Sequence, residues 1–108
     1  MLEKYKWDKR LVVHYRDNSD EHQNIQKYIN DFFKKNQKDT HERKLESIEL
    51  FESKVSGNLA FTITENGYGI YLIGLDGSIK KYSQNTDIID NLFNIIDAMP
   101  MRRRHLNQ

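Results

Sequence analysis

Arg10-Leu11-Val12-Val13-His14-Tyr15 is a short β-branched run bounded by charged residues, the pattern of a buried strand. It reads as the centre of a sheet. Just downstream, Asp17-Asn18-Ser19 offers side-chain oxygens to the free N–H groups of a helix start. Ile25, Tyr28, Ile29, Phe32 and Phe33 then recur at spacings of three and four, forming one apolar face of an amphipathic helix. Asn36 to Arg43 is wholly polar and reads as a loop or a frayed helix end. It returns the chain to Leu45-Glu46-Ser47-Ile48-Glu49-Leu50-Phe51, a second strand. Strand, helix and strand in that order predict one right-handed crossover.

Beyond the punctuation of Lys54-Val55-Ser56-Gly57, Leu59, Phe61 and Ile63 alternate with Ala60, Thr62 and Thr64, a strand pattern. Asn66-Gly67 is a hairpin turn signal leading into Tyr68 to Ile73, and Asp76-Gly77 is a second one leading into Ser78 to Tyr82. The middle of the chain therefore reads as an antiparallel meander. Thr86, with Asp87 in the first turn, opens a helix whose apolar residues Ile88, Ile89, Leu92, Phe93, Ile96 and Met99 share a stripe until Pro100 stops it.

A crossover unit, an antiparallel strand pair and a closing helix make an α/β chain of thioredoxin-like architecture: a central mixed sheet with a β-α-β unit, a hairpin and a C-terminal helix. A ferredoxin-like arrangement competes, but it requires a strand after the last helix, and Met101 to Gln108 is polar. With 108 residues the chain is expected to be a single domain over residues 1–108.

Composition excludes several chemistries. Cysteine is absent, which removes disulfides, thiolate nucleophiles, peroxidatic chemistry and Cys-ligated metal. The 17 Lys and Arg nearly cancel the 16 Asp and Glu, so no field of one sign steers the molecule to nucleic acid or membrane. No run reaches the roughly 18 to 20 apolar residues of a membrane helix, and Met1 to Arg10 lacks the apolar stretch of a signal peptide. Localisation stays open, because a chain without cysteine suits either redox compartment. Export requires a leader removed ahead of Met1.

The nucleotide-binding and hydrolase glycine motifs are missing, and Gly67, Gly69, Gly74 and Gly77 read as turn and strand glycines. His14, His22, His41 and His105 lack the paired spacing that sets two metal ligands on one helix face, and they read as surface or boundary residues. No metal and no cofactor is expected. Asp17, Asp20 and Glu21 read as helix capping, since the calcium-loop glycine and distal Glu are absent. Trp7 and Tyr5 are expected to plug one end of the core, and Tyr68, Tyr71 and Tyr82 to pack across strands.

Arg102-Arg103-Arg104-His105 is the dense basic patch of the chain. It reads either as charge complementing a helix C-terminus or as an anion site, since guanidinium groups bind carboxylate and phosphate bidentately. Three arginines without a wider basic face do not make a nucleic-acid surface. Arg10 and Arg43 flank strands and are expected to be buried partners of Asp or Glu.

Trp7-Asp8-Lys9-Arg10-Leu11-Val12-Val13, Glu42-Arg43-Lys44, the stretch Gly67 to Lys80 and, above all, Asp97-Ala98-Met99-Pro100-Met101-Arg102-Arg103 together resemble one family. It is the P-DUDES domain family, a domain of unknown function found in bacterial proteins and repeated in some vertebrate secreted matrix proteins. The resemblance implies a thioredoxin-like, peroxiredoxin-related fold, and it implies no known activity. Where a thioredoxin carries Cys-x-x-Cys, this chain has Arg16-Asp17-Asn18-Ser19-Asp20, and where the cis-proline stands it has Gly67 and Tyr68. Leu75 replaces the lysine expected in the Gly-Lys-Asp-Gly turn.

These readings lead to a non-catalytic interaction domain that binds a protein partner, with no nucleic acid and no membrane span. Its expected surface joins Arg16 to Asp20 with Met99 to Arg103. The rival is a small-anion binder or enzyme in which Arg10, Arg16, Asp17, Arg43, Arg102 and Arg103 line a pocket, with Asp17 or His14 carrying a proton.

Overall fold

Leu11, Val12 and Val13 are each at most 1% exposed, because the strand that carries them has a neighbour on both sides and side chains packed on both faces. The structure, a computed structural model, describes residues 7–51 and 67–99. Strand β1 (Arg10–Arg16) pairs in parallel with β2 (Leu45–Phe51) and antiparallel with β3 (Gly69–Ile73), which pairs antiparallel with β4 (Ile79–Ser83). The sheet order is β2-β1-β3-β4. This is an α/β chain with a four-stranded mixed sheet, consistent with the thioredoxin-like class. The strand expected over Leu59 to Thr64 lies outside the described residues, as do Tyr5 and everything from Pro100 onward.

Helix α1 (Asp20–Lys35) starts where Ser19 takes a non-helical ψ of 153° and its hydroxyl accepts the His22 N–H. Asp20 and Glu21 in the first turn and Lys34 and Lys35 in the last complement the helix dipole. Its apolar stripe packs on the sheet through Ile29, which is fully buried, with Ile25, Phe32 and Phe33 around it. Tyr28 stays 43% exposed, its hydroxyl donating to Asp90. That bond holds the Tyr28 phenol above its ordinary range.

Two helices differ from expectation. The polar stretch after α1 forms α2 (Gln37–Glu42), where the chain reads as a loop or frayed end. Asn36, at φ −120°, breaks α1, and its carbonyl then accepts the Thr40 N–H, so the backbone resumes helical bonding without an apolar face. The C-terminal helix is not continuous either. It divides into α3 (Asp87–Asp90) and α4 (Leu92–Asp97) at Asn91, whose φ is −111° and whose side-chain amide donates to the Asp87 carbonyl. Asparagine bonds to nearby backbone in this way at the expense of helix continuity. The apolar stripe survives the break, since Ile88, Ile89, Leu92 and Ile96 are all buried.

Alternation along β1 separates two clusters. Val12 faces a core shared with Ile29, Ile70, Leu72, Ile89, Leu92 and Ile96, so α1, α3 and α4 lie on the same side of the sheet. Leu11 and Val13 face the opposite cluster of Leu50, Tyr71 and Ile73. Tyr71 and Tyr82 are direct cross-strand partners with ring centroids 4.7 Å apart.

The turn from β3 to β4 follows the Asp-Gly signal. Gly77 has a φ of +84°, which favours glycine, and Asp76 Oδ1 accepts from the backbone N–H and hydroxyl of Ser78. Those bonds, with the Lys80 ammonium 3.0 Å away, hold the Asp76 carboxyl down at about 2. Leu75 is buried, which explains why an apolar residue stands there in place of lysine, and its carbonyl accepts the Trp7 N–H. Trp7 itself is 61% exposed. It is held by its backbone and does not plug the core.

Candidate functional site

The C-terminal end of β1 meets the N-terminal end of α1 at Arg16 to Asp20. His14 and Arg16 share the parity of Val12 and therefore point to the α1 side of the sheet. Both are buried, His14 to 1% exposure. This corrects the reading of His14 as a surface or boundary residue, while half-buried His22 and exposed His41 fit that reading and His105 lies outside the described residues. Helix α1 lies over this face of the sheet, and its Gln26 covers the mid-strand imidazole.

His14 Nδ1 lies 2.8 Å from Gln26 Oε1, and Gln26 Nε2 donates to Asn30 Oδ1 at 2.9 Å. Because the Gln26 amide nitrogen is directed to Asn30, its oxygen accepts, and the His14 proton belongs on Nδ1. His14 Nε2 then carries the lone pair, and it has no hydrogen-bond partner among the described residues. Burial pushes the His14 imidazole below its ordinary value of 6.5, outweighing the Gln26 bond, so the ring is held neutral.

Around it stand an ion pair and a carboxylate–imidazole contact. Arg16 Nη1 donates to Glu49 Oε2 at 2.5 Å and Arg16 Nε to the Asp17 carbonyl at 3.0 Å, while its guanidinium lies 4.7 Å from the Phe51 ring centroid. Asp17 Oδ1 accepts the Ser19 N–H at 2.9 Å and lies 2.7 Å from His22 Nδ1. The Ser19 backbone and hydroxyl, followed by His22, hold the Asp17 carboxyl below the usual carboxylate range. The His22 ring sits 6.0 Å from that of His14 and 5.2 Å from that of Tyr68, which closes the end of the sheet against Tyr15 at 5.0 Å.

Among the described residues, the expected binding residues Arg10, Arg16, Asp17 and Arg43 stand in two groups. Arg16 and Asp17 stand at the corner, whereas Arg10 and Arg43 stand at the opposite end of β1, roughly 20 Å away along a strand of this length. Arg102 and Arg103 lie outside the described residues. Arg10 Nη1 donates to the Arg43 carbonyl at 2.8 Å. Arg43 grips Asp97 through Nε and Nη2 at 3.0 and 2.9 Å and lies 4.3 Å from the Phe93 ring centroid. The Asp97 bond raises the Arg43 pKa further above its already high ordinary value. This fork ties the end of α2 to α4.

Arg43→Lys should therefore destabilise the domain by about 1–2 kcal/mol, since lysine keeps the charge but loses the planar fork and the ring contact. Urea denaturation of the two proteins, with and without phosphate, measures it. An equal loss in both conditions marks a structural arginine.

Glu49, Gln26, His22 and Tyr68 escape sequence reasoning because their roles depend on which strand and helix lie beside β1. One signal was available: His14 has the parity of Val12 within a run read as buried.

One other concave feature, a groove of about 350 Å³ between β4 and α3–α4, is lined by Tyr82, Ser83, Ile88, Asn91 and Ile95 with the charges of Lys81 and Asp87. Its titratable residues are exposed or half-buried. Among the described residues no group of three or more His, Asp or Glu side chains is placed to hold a metal, and no helix is long and apolar enough to cross a membrane.

A family model described as a domain of unknown function, DUF4174, matches residues 56–105, just under half of the chain. Within the described residues the match takes in β3, β4, α3 and α4 and none of the β1–α1 corner. No curated protein and no solved structure matches the chain.

Proposed function

We propose that residues 1–108 form a single non-catalytic binding domain of the P-DUDES kind, a thioredoxin-like scaffold whose protein partner docks at the β1–α1 corner. The observation that supports this reading is the state of the corner's charges. Arg16 is held by Glu49, and Asp17 by Ser19 and His22, so the groups position one another and leave no convergent set for a substrate. Thiol chemistry is excluded by the lack of cysteine. Asn18, Asp20 and Glu21 form an exposed rim, and their carboxylates favour a partner surface with basic residues over a small anion.

A thermal-shift panel of phosphate, carboxylates, nucleotides, sugars and divalent cations, followed by NMR titration with a Lys/Arg-rich peptide, tests this. A bound ligand at about 100 times its Kd stabilises by roughly 2.7 kcal/mol, several degrees for a domain of this size. The expected result is no such rise with any small molecule, and peptide-induced amide shifts over residues 17–23 that vanish in the Asp20→Lys, Glu21→Lys double variant. A rise with phosphate that is lost in Arg16→Ala would replace this reading with the anion pocket.

A further inference from the structure

We propose that the β1–α1 corner is an acid-operated latch, in which protonation of His14 releases the first turns of α1, residues 20–26, from the sheet while the rest of the domain stays folded.

The closed corner has room for one form of His14 only. A neutral imidazole needs one acceptor, which Gln26 Oε1 supplies to Nδ1. An imidazolium has two N–H groups, and Nε2 has no acceptor among the described residues. The groups facing His14 do not offer one. On its own strand Arg16 is a cation, and on β3 the register partner Ile70 is apolar. On β2 the register partner Glu49 is an anion, but its carboxylate is drawn to Arg16, with Oε2 at 2.5 Å, and neither of its oxygens bonds His14 Nε2. From α1 come Gln26, already bonded, and His22, whose Nδ1 is directed to Asp17. A proton on His14 thus creates a buried charge beside a guanidinium, with one donor left over, and both are costly.

The release is local because the anchoring of α1 is uneven. Ile29, Phe32 and Phe33 bind its second half to the main core. In the first half Asp20, Glu21, Gln23 and Asn24 are exposed, His22 is half-buried, and half-buried Ile25 is its apolar contact with that core. The buried side chain that fastens this half is Gln26, and its sheet contact is His14. Losing that bond leaves the first turns with the half-buried Ile25 against the core, while Ile29, Phe32 and Phe33 keep the second half in place.

The sign follows from linkage. Burial holds His14 below its ordinary pKa in the closed state, so the open state binds more protons as pH falls through the ordinary histidine range. The closed form is therefore favoured above that range and loses ground below it, its opening constant rising by up to about tenfold per pH unit for one proton.

The test is an NMR titration of the whole chain from pH 7.5 to pH 5, following the His14 ring and the backbone amides, with exchange protection corrected for intrinsic rates. Expected is a transition in residues 20–26 that coincides with titration of the His14 ring. Their protection should fall about tenfold or more while residues 29–33 are unchanged. His14→Gln should abolish the transition and His22→Gln should keep it. Glu49→Gln, which removes the one anion facing His14, should move the midpoint to lower pH, and this arm holds even if His14→Gln fails to fold. A transition that persists in His14→Gln, a His14 ring that titrates without any change in residues 20–26, or a Glu49→Gln midpoint that stays in place would each overturn the latch.

Discussion

Gly69→Ala should cost the domain about 2–6 kcal/mol, a large part of the stability of an ordinary small domain. Gly69 begins β3 opposite Tyr15 of β1, with a φ of +150° that L side chains rarely adopt. A β-carbon placed there would lie 2.6 Å from Tyr82 Cε1 and 2.7 Å from the Ser83 carbonyl oxygen. The ring could swing aside only by losing its hydroxyl's bond to the Tyr68 carbonyl, 2.6 Å long, and its tilted contact with the Tyr71 ring. The carbonyl belongs to β4 and moves only with the strand. Backbone strain and overpacking contribute about 1–3 kcal/mol each. Urea denaturation gives the difference directly, and a loss below about 1 kcal/mol would show that the start of β3 adapts where this packing says it does not.

The second large effect is expected at Tyr71. Its side chain is fully buried on the face of the sheet opposite α1, among Leu11, Val13, Leu50 and Ile73. Tyr71→Ala should destabilise by about 3–5 kcal/mol, because it removes a large apolar ring and leaves a cavity that a sheet face cannot readily close. Tyr71→Phe should cost only about 1 kcal/mol, since it removes the one hydroxyl that donates to the Gly67 carbonyl. The ratio between the two substitutions is the informative quantity. Comparable losses would place the value of Tyr71 in its hydroxyl and the loop it holds, and not in the second core cluster.

Both residues show why the fold was more legible than the site. Val12, Ile29 and Leu92 announce their burial through the spacing of their apolar neighbours, because periods of 2 and 3.6 are imposed by backbone geometry within one element. Gly69 and Tyr71 were readable as a strand glycine and a packing tyrosine, but the clash with Tyr82 depends on the register between β3 and β4. The polar pairs are harder still. Arg16 and Glu49 are 33 residues apart in sequence, and Arg43 and Asp97 are 54 apart. No local rule selects those partners from the 16 acidic residues of the chain.

The amino-acid sequence by itself determined an α/β chain with β1, α1, β2 and the β3–β4 hairpin close to their observed bounds, and it excluded thiol chemistry outright. Those properties follow from side-chain periodicity, turn chemistry and residue identity, all of which act over a few positions. The tertiary structure decided the rest. It buried His14 beneath α1, set Arg16 and the pair Arg10 and Arg43 at opposite ends of β1, and turned Arg16 and Arg43 into partners of particular carboxylates. The physical reason is the same in each case: a polar group's partner, and hence its charge and its proton, is set by what another element brings within about 3 Å.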